Sequence, residues 1–119
     1  MKAILIDVTA QTVTDVDLEA GLSAMYKAIG CQSINRVVLD SVADLWVDDE
    51  GLLHRPQPPK FRIGGYDYTF AGNGLICGYT AEGHTVSAVY TAHQVSPLIE
   101  FLGDVHVEPK PPIIISWSK

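Results

Sequence analysis

A chain of 119 residues that is 47% hydrophobic and carries a net charge of −6 has the length of one domain and the composition of a packed core, which excludes general disorder. Two widely separated cysteines and no apolar run near the ~20 residues of a helical span exclude a disulfide scaffold and a helical membrane anchor. With no cluster of lysine and arginine, direct nucleic-acid binding, which needs a basic footprint, is not expected.

Residues 2–8 alternate, with Ile4, Ile6 and Val8 on one side and Ala3, Leu5 and Asp7 on the other. Both sides are largely apolar, which predicts an inner strand and not a signal peptide. Thr9–Gln11 makes a turn and Thr12–Asp15 returns as a second strand. Leu18, Leu22, Met25, Tyr26 and Ile29 share one helical face, predicting a helix over 18–29, capped by Asp15 or Asp17 and ended by Gly30.

Val37 and Leu39, then Leu45 and Val47, predict a hairpin whose inward residues these are. Trp46 then faces the other way, with Arg36, Val38 and Asp40. Asp48–Gly51 is turn chemistry, and the prolines of Arg55–Lys60 keep that stretch an extended loop.

Half of the chain's ten glycines fall between Gly64 and Gly78, around Tyr66, Tyr68 and Phe70. Such density marks either tight sheet turns or a surface that something approaches closely. Asn73-Gly74 is a hairpin signal. Strands follow at Leu75–Thr80 and Thr85–Tyr90, turning at Glu82-Gly83. Thr91 and Gln94 are spaced as a capping box for a helix over 91–102, which Pro97 must kink or shorten. Asp104–Val107 reads as a short strand. Pro109–Pro112 is a stiff spacer before the apolar run Ile113–Trp117.

These elements predict an α+β domain over 1–108, a mainly antiparallel sheet with two helices packed on one face, followed by a spacer and apolar strand over 109–119.

Catalytic signals are weak. Gly72-Asn73-Gly74 lacks the spacing of a dinucleotide fingerprint, and the strand pattern that follows it is wrong for one. Cys31 follows a helix C-terminus and Cys77 lies in an apolar strand, both unfavourable to a thiolate. His54, His84, His93 and His106 sit in no local catalytic pattern. Asp48-Asp49-Glu50 lacks the alternation of a calcium loop. We expect no enzymatic activity, no cofactor and no metal site.

Binding signals are stronger. Trp46 and Arg36 either cover a second small core or form a partner-binding patch. Tyr66, Tyr68 and Asn73 belong either to turns or to a ligand-binding surface. The run Ile113, Ile114, Ile115 and Trp117 either adds an edge strand to its own sheet or pairs with a second copy; the stiff spacer favours a homodimer.

Met1–Asp7, Ile29-Gly30-Cys31, Trp46–Leu53, Phe61–Tyr66 and Ala71–Gly78 together resemble a family of small uncharacterised proteins. Phages, plasmids and some bacterial chromosomes encode them, and they are known only as a domain of unknown function. The segment from Glu108 lies outside the pattern. The resemblance implies an accessory role in mobile elements, such as countering host defence or redirecting a host factor, and implies no catalytic residues. We therefore expect a cytoplasmic, non-enzymatic protein that binds a host protein. The alternative is a small-ligand or nucleotide-signal module built on residues 64–78.

Overall fold

The computed structural model describes residues 1–109. The expected strand Ile113–Trp117, with its oligomerisation role, lies outside the described residues.

The main sheet is antiparallel, in the order β2-β1-β7-β4-β3, with β8 attached to β7. Its strands are β1 (Lys2–Asp7), β2 (Thr12–Asp17), β3 (Ile34–Val38), β4 (Ala43–Asp48), β7 (Gly74–Tyr79) and β8 (Thr85–Val86). A second, three-stranded sheet has the order β6-β5-β9, from β5 (Lys60–Ile63), β6 (Phe70–Ala71) and β9 (Ile99–Gly103). The predicted hairpin is present as β3–β4, with Arg36 opposite Trp46 and Val37 opposite Leu45.

Alternation gives the main sheet two apolar faces. Ile4, Ile6, Leu45, Val47 and Ile76 pack with Phe61, Ile63 and Phe70 of the small sheet. Ala3, Leu75 and Cys77 pack with Met25 and Ile29 of α1 (Leu22–Ile29) on the other side. The short α2 (Ala92–Val95) contributes Ala92 and Val95 to the first of these clusters. The helices therefore serve opposite faces, not one as expected. The small sheet and α2 share one face and leave the other to α1.

Several sequence expectations are corrected. Helix α1 starts at Leu22, because Gly21 at φ 115 interrupts the backbone and supplies no side-chain cap. Asp17 instead pairs with the Met1 ammonium at 3.1 Å, and Asp15 accepts from the Ala92 N–H at 2.9 Å. The Thr91–Gln94 capping box is present, but α2 ends at Val95 and a 3-10 turn follows over Ser96–Leu98, with Pro97 within it. Ile99–Gly103 then extends and pairs with β5, where a helix was expected. Residues 104–107 form no strand, and the strand expected over Thr85–Tyr90 is confined to Thr85–Val86. Gly72-Asn73 joins two different sheets and does not close a hairpin. Among the described residues no helix is long and apolar enough to cross a membrane.

Leu22 is 54% exposed whereas Met25 is 2% exposed. In urea unfolding, Met25→Ala is expected to lose about 2–5 kcal/mol and Leu22→Ala roughly 0.5 kcal/mol or less. Equal losses would place the packed face of α1 elsewhere.

Candidate functional site

The two sheets face each other but do not close on every side. Among the described residues β3 ends one sheet and β6 ends the other, with nothing paired to their outer edges. A groove of about 490 Å³ lies there. Val37 and Val47 line it from the main sheet, and Tyr66, Tyr68 and Phe70 from the glycine-rich segment. Leu52 and Leu53 close one end from a 3-10 turn over Gly51–Leu53. That turn seats tightly because Gly51 is buried against Ala71 of β6, where a Cβ would collide with the Ala71 carbonyl oxygen.

The aromatic wall is built inward from the surface. Tyr68 is 48% exposed. Its ring centroid lies 4.9 Å from that of Phe70, which lies 5.4 Å from that of the fully buried Phe61. Tyr68 is thus a supported aromatic platform, a residue type that dominates binding hot spots. Asp48 and Asp49 are among the residues that line the groove. Asp48 accepts from the Glu50 N–H at 2.9 Å and meets His54 Nε2 at 2.7 Å, so its carboxylate is held in place.

Tyr66 also lines a second hollow of about 430 Å³, between Leu39 and Ile76 on one side and Ile63, Gly64 and Gly65 on the other. At its edge the Tyr90 hydroxyl donates to Asp40 Oδ2 at 2.5 Å. This bond holds the Asp40 carboxyl below its ordinary value and pushes the Tyr90 phenol above its own.

The structure separates the residues singled out from sequence. Tyr66 and Tyr68 meet in the groove. Asn73 does not join them; its Oδ1 accepts from the Val8 N–H at 2.9 Å and ties the inter-sheet turn to the end of β1. Arg36 and Trp46 lie on the opposite face of the main sheet. Trp46 packs against the α1 cluster, in accord with the reading of a second small core. Arg36 donates through Nε to Asp44 Oδ2 at 2.7 Å and lies 3.9 Å over the Tyr79 ring.

Asp44 was missed. It is fully buried, and among the described residues its Oδ1 has no hydrogen-bond partner, nor has the buried Nε1 of Trp46. The available signal was cross-strand: in the predicted hairpin Arg36 falls diagonally opposite Asp44 on one face.

The thiols are held in the protonated form at neutral pH. Burial, then the Asp44 charge, pushes Cys77 up to about 11. Burial and the Asp48 charge raise Cys31 as well. Among the described residues no three His, Cys, Asp or Glu side chains converge on a metal-sized space.

Two outcomes test this geometry. Arg36→Leu leaves a buried carboxylate without its cation and is expected to lower the urea midpoint, while adding Asp44→Leu recovers part of the loss; additive losses would mean the two groups do not interact. The Tyr90–Asp40 bond stabilises the fold above the ordinary carboxylate range. That contribution is lost as pH falls through the depressed Asp40 value, and again as pH rises through the raised Tyr90 value. NMR titration of Asp40 should therefore move up towards the ordinary carboxylate value in Tyr90→Phe, while the Val42 and Ala43 backbone bonds still hold it down; an unchanged titration would remove the bond from the account.

No curated protein and no solved structure is matched by this chain. Residues 1–99 match the model of one family, described as a domain of unknown function, DUF3846. The matched stretch contains every groove-lining residue named above. By that match over most of its length, the chain belongs to the DUF3846 family.

Proposed function

We propose that this chain is a non-enzymatic accessory protein that binds a segment of a host protein in the groove beside β3 and β6. One observation carries the reading: a supported aromatic platform, Tyr68 on Phe70, faces an apolar groove where both sheets end on open strand edges. Open edges offer backbone donors and acceptors to an extended segment, and the groove offers places for its alternate side chains. Exposed Asp49, which lines the groove, favours a segment with a basic flank. The expected patch of Arg36 with Trp46 does not enter this reading, since Arg36 is committed to Asp44 and Trp46 to the α1 cluster.

The second reading, a small-ligand module, draws on the other hollow. Tyr66 and the main chain of Gly64-Gly65 line it beside the Tyr90–Asp40 bond. A native mass spectrum of freshly purified protein that showed a retained small molecule would favour it.

The primary reading is tested with fluorescent peptides bearing one aromatic or β-branched anchor and either lysine or glutamate flanks. Lysine-flanked peptides are expected to bind more tightly. Tyr68→Ala should weaken them by about tenfold or more, a cost of at least ~1.4 kcal/mol. Leu22→Ala, on the far face, should leave them unchanged. Failure of every peptide to bind, or indifference to Tyr68→Ala, would sink the groove as a binding site.

A further inference from the structure

We infer that the second hollow, beside α2, takes a small apolar amine, with its protonated amino group next to Asp40 and its uncharged body inside; this rests on the reading of that hollow as a small-ligand site.

The lining changes from apolar within to charged outside. Ile63, Ile76 and Val95 line the hollow and belong to the buried core, Ile76 from the central strand β7. Asp40, Tyr90 and Leu98 line it from exposed positions. Its volume of about 430 Å³ falls within the roughly 300–1,000 Å³ of small-molecule sites. The walls are fixed by bonds of their own. The Gly64 N–H donates to the Leu98 carbonyl at 2.8 Å, joining the turn after β5 to the 3-10 turn over Ser96–Leu98. The Thr91 N–H donates to Gln94 Oε1 at 2.9 Å, which holds the Gln94 side chain on its wall. Gly65, at φ 89, keeps its part of the lining free of a side chain.

One group sets the charge preference. Asp40 Oδ1 accepts from the Val42 N–H at 2.8 Å, and Oδ2 accepts from the Tyr90 hydroxyl. Both bonds favour the ionised form, so the carboxylate is oriented and charged at neutral pH. Among the described residues no lysine, arginine or histidine pairs with it. An ionised carboxylate has about four acceptor sites, so these bonds leave room for an ammonium N–H. The rings of Tyr66 and Tyr90 line the same space, and aromatic rings attract cations. No basic side chain lines the hollow, and the chain's net charge is −6. A nucleotide would therefore meet a fixed negative charge and no positive one. Of the ligands open from the sequence, an apolar amine fits this lining and a nucleotide does not.

The test is an NMR titration of the full chain with three probes of similar shape: 2-phenylethylamine, 2-phenylethanol and 3-phenylpropionate. The amide signals of Gly64 and Gly65 report the site, since these residues line the hollow and not the groove. The amine should shift them to saturation and bind about tenfold more tightly than the alcohol, the scale of a hydrogen bond to a charged group. The carboxylate probe should not bind. Asp40→Asn keeps the side chain's shape and removes its charge. It should bring the amine down to the level of the alcohol and leave the alcohol unchanged. Leu98→Lys, at a side chain 52% exposed, puts a competing ammonium into the wall. It should abolish amine binding with the far-ultraviolet dichroism unaltered. Leu22→Lys adds the same charge on the far face and should leave amine binding intact. An amine that does not bind, or binds no better than the alcohol, overturns the inference. So does an amine indifferent to Asp40→Asn, or weakened as much by Leu22→Lys as by Leu98→Lys. Alcohol and amine bound equally at Gly64 and Gly65 fail this inference and keep the small-ligand reading. No probe bound and no small molecule retained in the native mass spectrum fail both.

Discussion

The architecture turns on the contact between Phe61 and Gly74. Phe61 is fully buried, and Gly74 lies between Ile6 and Val47 in the middle of the main sheet. A Cβ at Gly74 would stand 2.8 Å from Phe61 Cζ and 3.0 Å from Leu45 Cδ1. Absence of a side chain there lets the ring settle directly on the main chain of β7. The spacing of the two sheets is set by that ring, and β5 is held where Phe70 and then Tyr68 can stack outward from it. The aromatic wall of the groove is therefore a continuation of the core, and its rigidity has the same origin.

Two buried charged side chains, one in each sheet, meet their polar obligations differently. On the α1 face Asp44 is taken fully out of water, and its partner Arg36 reaches it from the surface with a third of its own side chain exposed. Such an arrangement contributes less to stability than to register, because any slip of β3 along β4 would strand a buried charge. In β5 of the small sheet the buried Lys60 ammonium donates to the Pro58 carbonyl at 2.8 Å, outside any ladder. The prolines of that loop offer carbonyls without requiring partners for N–H groups they lack, and the Pro58 carbonyl is the one Lys60 takes.

Much of the fold could be read locally. Alternation at Val37, Leu39, Leu45 and Val47 was enough for β3 and β4, and the spacing of Met25 and Ile29 was enough for the body of α1. The small sheet was not legible. Phe61–Ile63 is a short apolar stretch directly behind prolines, and Ile99–Phe101 follows a helical capping signal. Each becomes a strand only because the other pairs with it from across the chain, and no window of sequence contains both. The groove was half legible for the same reason. Tyr66 and Tyr68 stand out among the glycines, but Val37 and Val47 join them only through inter-sheet packing. Arg36 and Trp46 were grouped correctly on one face of their hairpin; that this face would be covered by α1 depends on the crossover from β2 to β3, which side-chain periodicity does not encode.

The two outer edges of the main sheet differ in composition. Along β2 the outward residues are threonines and aspartates, and Asp15 anchors the start of α2 beside it. Polar, charged and partly covered, this edge resists pairing with another chain. Along β3 the sequence Ile34-Asn35-Arg36-Val37-Val38 offers no acid, its one cation is turned to Asp44, and Val38 is 50% exposed. An edge of that composition next to an apolar groove is an aggregation hazard if left bare.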